Sequence, residues 1–194
     1  GQKVLGPQVY ARVQDGDLSP SGALLAGALL AGAAVNLDTA ADLINSGRIS
    51  GRQVVSLTAE NIRNLGGDVA GQEIFADAKN DLQLKGGSFT AENRLIASAG
   101  RDLTVESSTD DLDYRVAGIN GSHRRTDRNR GAALYVTGDN GTLVAAAGND
   151  LALLAAAIVN ASPTAAGPSG GTTVLSAGNK PTLGPGTATR APAT

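Results

Sequence analysis

The sequence predicts an all-β chain built as a parallel β-helix, a solenoid of about seven stacked rungs, and three observations carry that expectation. The first is a ladder in which an apolar residue is followed seven places later by Asp or Asn and then at once by Leu or Ile. Its copies are Tyr10/Asp17/Leu18, Val35/Asp42/Leu43, Val54/Asn61/Ile62, Ile74/Asp81/Leu82, Leu95/Asp102/Leu103 and Leu143/Asp150/Leu151. They recur about every 20 residues, and a unit that short cannot bury its own apolar face, so it must stack on copies of itself. The second is the grain within each unit: small apolar clusters such as Ile49, Val54-Val55-Ser56-Leu57 and Ile62, separated by Gly, Asn, Ser and Asp. Such runs are brief strands joined by turns. The third is the lack of any helical stripe outside Ala23 to Val35. There the helix propensity of Ala and Leu is opposed by Gly22, Gly27 and Gly32 and by the fit to the strand columns.

Three short strands per unit make one rung, and seven rungs at the usual strand spacing span roughly 30 Å. The Asx column, Asp17, Asp42, Asn61, Asp81, Asp102 and Asp150, sits at one corner of every rung. Short Asx side chains bond to nearby backbone and tolerate the left-handed conformation that a tight corner needs. Gly47, Gly67 and Gly87, each two residues before Ile49, Val69 and Phe89, mark a second corner of the same kind. Two intervals break the period. Between Asp17 and Asp42 the text Gly22-Ala-Leu-Leu-Ala is repeated as Gly27-Ala-Leu-Leu-Ala, and reading one copy as an insertion restores the period. Between Leu103 and Leu143 about 28 residues are in excess, so a segment leaves the solenoid and returns.

Composition narrows the class further. The 194 residues include two Phe, no Trp, no Met and no Cys, so the interior is narrow and aliphatic, and disulfides and thiolate metal sites are excluded. A net charge of −2 gives no bulk attraction to nucleic acid or to an anionic membrane. Ala23 to Val35 is too short to span a bilayer and lacks the basic flank of a signal peptide. The expected organisation is one β-helical segment over 1–176 followed by a flexible Pro- and Gly-rich tail over 177–194, where Pro181 and Thr182 replace the Asp and Leu of the ladder.

The rung texts Leu-Thr-Ala-Glu-Asn-Ile-Arg-Asn-Leu-Gly-Gly-Asp-Val-Ala-Gly (57–71), Ala-Lys-Asn-Asp-Leu-Gln-Leu-Lys-Gly-Gly-Ser-Phe-Thr-Ala (78–91) and Ser-Ala-Gly-Arg-Asp-Leu-Thr-Val-Glu-Ser-Ser (98–108) resemble a known repeat class. It is the haemagglutinin repeat of filamentous haemagglutinin and of contact-dependent growth-inhibition exoproteins, which Gram-negative bacteria export by two-partner secretion. The resemblance covers roughly residues 4 to 160. It implies a right-handed parallel β-helix forming part of a surface-exposed rod. It also implies export through an outer-membrane two-partner-secretion transporter, directed by an N-terminal domain outside this sequence.

The excursion is expected to be a β-hairpin over 109–137 that projects from the rod. Its arms are 110–119 and 133–136, and its loop is 120–130. Asp110, Asp111 and Asp113 open the first arm, and Arg124, Arg125, Arg128 and Arg130 precede the return, so opposite charges would face each other across it. His123, Arg124, Arg125, Arg128 and Arg130 are the candidate binding residues, suited to an anionic partner such as a glycan, lipopolysaccharide or a cell-surface receptor. The plainer reading is a solvated, self-complementary hairpin. No catalytic residue, metal site or cofactor is predicted: His123 is the one histidine, and the Asx column is accounted for by corner geometry. The sequence therefore points to a non-enzymatic rod segment that displays distal modules, or else to a rod-borne binding module acting through the hairpin.

Overall fold

The structure is a computed structural model and describes residues 23–115, 122–161 and 171–185. Side chains are described for all of these except 23–24, 109–115 and 122–129. Every regular element among the described residues is a strand. In chain order they begin β1 (Ala23–Leu25), β2 (Leu29–Asp38), β3 (Leu43–Asn45), β4 (Arg48–Ala59), β5 (Ile62–Leu65) and β6 (Asp68–Ala78). Next come β7 (Leu82–Lys85), β8 (Ser88–Ala99), β9 (Leu103–Glu106), β10 (Ser108–Arg115), β11 (Ser122–Arg130) and β12 (Ala133–Val136). The last are β13 (Thr142–Ala147), β14 (Leu151–Leu154), β15 (Ala157–Asn160), β16 (Thr172–Ala177) and β17 (Pro181–Gly184).

Two parallel sheets take fifteen of these strands, and β10 and β11 pair antiparallel as a third sheet. The short strands form a seven-stranded sheet in the order β1-β3-β5-β7-β9-β14-β17, and the long ones an eight-stranded sheet that runs from β2 through β4, β6 and β8 to β12 and β15, with β13 and β16 beside them. Each repeat gives one strand to each sheet. The expected three strands per repeat thus appear as two, because the two halves of each long strand remain in one ladder through a bend. In β4 the bend lies at Arg52 and Gln53, two successive exposed residues in an otherwise alternating strand, and the pairing slips there between Ser50 and Val54. After the β10–β11 segment the two halves separate into β12 and β13, both paired to β8.

The core is one continuous apolar cluster from Val35 to Leu153. Val35, Val55, Ile74, Leu95 and Leu143 align in register along one column, each at most 3% exposed. Leu43, Ile62, Leu82, Leu103 and Leu151 form another, and Ile49, Val69, Phe89 and Leu134 a third. The strand alternation buries these residues and turns the intervening Ser, Thr and Asp outward.

Four further expectations change. Val55, and not Val54, occupies the first column, because the corner between Leu57 and Ile62 is one residue shorter than that between Leu37 and Leu43. Counting back seven from Asn61 therefore lands on the outer face. The repeated Gly-Ala-Leu-Leu-Ala text is not an insertion: Ala23 pairs with Leu43 and Leu29 with Arg48, so the two copies serve successive strands. The antiparallel partner of β10 is β11, and Ala133–Val136 lies in the parallel sheet between Ser88–Ala91 and Ala157–Asn160. Paired strands also continue to Gly184, since Pro181 aligns with Leu151 and Lys180 stands at the Asx position. Residues 186–194 and the Tyr10/Asp17/Leu18 copy lie outside the described residues.

The second corner also differs in its reason for glycine. Left-handed backbone occurs at Gly66 and Gly86, one residue earlier than expected, with φ of 76° and 62°. Gly67 and Gly87 are glycine for another cause: a Cβ there would collide with the Asn45 and Asn64 side-chain amides or with the Gly67 carbonyl of the preceding repeat. Asn45 and Asn64 are themselves buried, and the Asn45 amide donates to Asn64 Oδ1 at 2.6 Å. Asn64 Nδ2 donates in turn to the Gly67 carbonyl at 2.6 Å. A buried amide needs such partners, and glycine makes room for them.

Candidate functional site

The described part of the Asx column is a hydrogen-bond ladder. Asn61 Nδ2 donates to Asp42 Oδ1 at 2.6 Å, and the backbone N–H of Asp81 donates to Asn61 Oδ1 at 3.2 Å. The same contact recurs from the Asp102 N–H to Asp81, from Asp150 to Asp102 and from Lys180 to Asp150. Neighbouring amides add to it, with Asn149 Nδ2 donating to Asp102 and Asn179 Nδ2 to Asp150. Arg101 forks onto the Asp81 carboxylate, and this hydrogen bond foremost holds the Asp81 carboxyl below its ordinary value. The carboxylates of this corner thus have backbone and side-chain donors of their own. Among the described residues no group of three or more His, Cys, Asp or Glu is placed to hold a metal ion.

The candidate binding residues are distributed along β11. In the antiparallel register His123 stands opposite Tyr114, Arg124 opposite Asp113, Arg125 opposite Leu112, Arg128 opposite Thr109 and Arg130 opposite Ser108. Only one of these pairings sets Asp against Arg; Asp110 faces Asp127 and Asp111 faces Thr126. The expected match of an acidic arm to a basic one is therefore not made across the strands, since the pairing register, with its slip between Ser108 and Thr109, decides which residues meet.

At the root of this strand pair the side chains are described, and one hydroxyl ties exit to return. Ser107 is 2% exposed; its Oγ donates to the Ala155 carbonyl at 2.6 Å and accepts from the Ala132 N–H at 3.0 Å. Beside it the Ser108 Oγ accepts from the Arg130 N–H at 3.1 Å. The charge-based reading of the sequence missed Ser107, and its signal was slight: a polar residue at the point where the period breaks.

The root borders a trough of about 450 Å³ with a floor of glycine and alanine from three consecutive repeats. Asp68, Ser88, Arg130 and Tyr135 supply its larger side chains. Ser88 Oγ donates to Asp68 Oδ1 at 2.7 Å, while Arg130 Nη2 stands 3.9 Å from Asp68 Oδ2. Of the predicted binding residues, Arg130 alone is placed in this trough by the described side chains. Asp68, Ser88 and Tyr135 join it through register, because residues about 20 apart become neighbours across the sheet. No family model, no curated protein and no solved structure matches this chain.

Proposed function

We propose that the chain is a structural rod segment of a large secreted surface exoprotein, an adhesin or a contact-dependent toxin-delivery filament. In this reading the two parallel sheets are faces of a right-handed parallel β-helix of about seven rungs, and β10–β11 is a hairpin that projects from it. The observation that carries it is the constancy of register. Three apolar columns and one Asx ladder run through successive repeats, and Leu151 pairs with Leu103 across 48 positions of sequence as directly as Leu103 pairs with Leu82.

The mechanism is mechanical. Backbone ladders between repeats and stacked aliphatic side chains resist bending, so the segment holds distal modules away from the cell surface. The haemagglutinin-repeat likeness of residues 57–71, 78–91 and 98–108 supplies the secretion route, with a two-partner-secretion transporter in the outer membrane as the export partner. An antibody raised against the chain tests the location: intact cells of the source organism should be labelled as strongly as lysed ones. Labelling only after lysis would overturn the secreted reading. Small-angle scattering of chains with added repeats should give particles that lengthen by about 4.8 Å per repeat at constant cross-section, and growth in all directions would overturn the rod.

A further inference from the structure

We propose that the trough beneath the β10–β11 root binds a carboxylated sugar, a ring bearing a single carboxylate and several hydroxyls. Its size falls within the range of small-molecule sites. Its floor is low because Gly86, Gly87, Ala132 and Ala156 present almost no side chain, and a Cβ added at Gly131 would meet nothing within 4 Å. The taller groups standing over that floor are chemically mixed.

Arg130 is about half-exposed, and its one ion pair among the described residues spans 3.9 Å, longer than a hydrogen bond. Its guanidinium lies close to Gly66, where an added Cβ would stand 3.2 Å from Nη1, and Arg130 is itself one of the residues that line the trough. A planar carboxylate is the ligand group that a guanidinium fork takes in two parallel hydrogen bonds. Asp68 and Ser88 stand beside it, already linked through Oδ1, which leaves Oδ2 to accept from a ligand hydroxyl. Tyr135 adds an amphipathic ring of the kind that packs on a sugar face.

The same four residues argue against other anions. An acidic peptide or a densely sulfated chain would set its second negative charge against Asp68, whereas a sugar with one carboxylate meets one Arg and one Asp with hydroxyls between them. The trough exists whether or not the repeats belong to a secreted rod, so its failure leaves the proposed function standing.

The test is titration of the isotopically labelled 194-residue chain, followed by amide NMR, with sodium glucuronate, glucose and an acetylated, amidated glutamate dipeptide as probes. Glucuronate should shift the signals of Gly86, Gly87, Gly131 and Tyr135 saturably, and glucose at equal concentration should not. Arg130→Gln should weaken binding roughly tenfold or more, the scale of a lost charge-assisted hydrogen bond, with Arg130→Lys in between. Should Arg130→Gln lose amide dispersion and so be unfolded, Tyr135→Ala replaces it and is expected to weaken glucuronate binding in the same assay. The inference is overturned by any of three results: no saturable shift at these signals up to about 50 mM glucuronate, far above a millimolar Kd; glucose binding as strongly; or the dipeptide binding more tightly than glucuronate.

Discussion

Ile74 shows what a single position contributes. It is fully buried between Val55 and Leu95 in the first column, while Glu73 precedes it on the outer face. Truncating Ile74 to Ala leaves a cavity that flanking strands cannot close without losing register, so a cost of about 2–5 kcal/mol is expected, against about 0.5 kcal/mol or less for Glu73→Ala. Urea denaturation of the two variants measures the difference, and equal midpoints would displace Ile74 from the core. Asp81 makes the corresponding argument for charge. Arg101 holds its carboxyl below the ordinary value of 3.8, so the folded chain takes up this proton less readily than the unfolded chain does. Its stabilising effect is whole above pH ~4 and fades as pH falls through the folded value. The acid limb of the melting temperature should therefore be shallower in Arg101→Gln than in the parent chain, and an unchanged slope would show that the pair contributes nothing to folding.

The element that tests the architecture most directly is the β10–β11 pair. Leu82 to Phe89 takes seven positions and Leu103 to Leu134 thirty-one, yet Leu134 pairs with Phe89 in the same column. A short turn from Ser107 to Ala132 should replace residues 108–131 at a cost of at most about 1–2 kcal/mol, because both sheets are complete without them. Cutting out 109–137 instead removes β12, which bridges β8 and β15, and should abolish the cooperative melt followed by circular dichroism. Equal stability of the two deletions would place β12 outside the sheet.

That contrast also marks how far the sequence could be read. The period, the Leu43–Leu151 column and the Asx ladder were legible, because each depends on a residue type recurring at one spacing. The strand pair was legible as an interruption but not in its return arm. Ala-Leu-Tyr-Val has the composition of a strand arm, whereas Ser122–Arg130 is mostly Arg, Asp and Asn, residues of modest β propensity. Val54 in place of Val55 followed from a corner one residue short, which spacing alone does not reveal. The trough was not legible at all. Its members run from Asp68 to Ala157 and meet only through register, and Arg130 was singled out for its charge alone, without Asp68 or Tyr135.

For the whole molecule the consequence of parallel stacking is that the described residues end in open edges. β15, β16 and β17 each pair on one side only, and Val174, Leu175 and Leu183 are 43%, 41% and 70% exposed. At the opposite end β1 and β2 are likewise edge strands, and Leu29 is 69% exposed. An unpaired edge with apolar side chains is a template for another strand, and in a longer rod that strand would be the next repeat. Separate copies should therefore associate through these edges as concentration rises. Lysine at Val174 and Leu183 keeps both strands paired within the chain but sets charge where a neighbour would stack, the device by which natural sheets blunt their edges. Sedimentation velocity over a wide concentration range should show the parent chain growing in mass and Val174→Lys/Leu183→Lys remaining monomeric. If the parent stays monomeric throughout, or if the double variant associates equally well, these edges are not the contact, and the stiffness proposed for the rod would have to be tested on a longer run of repeats.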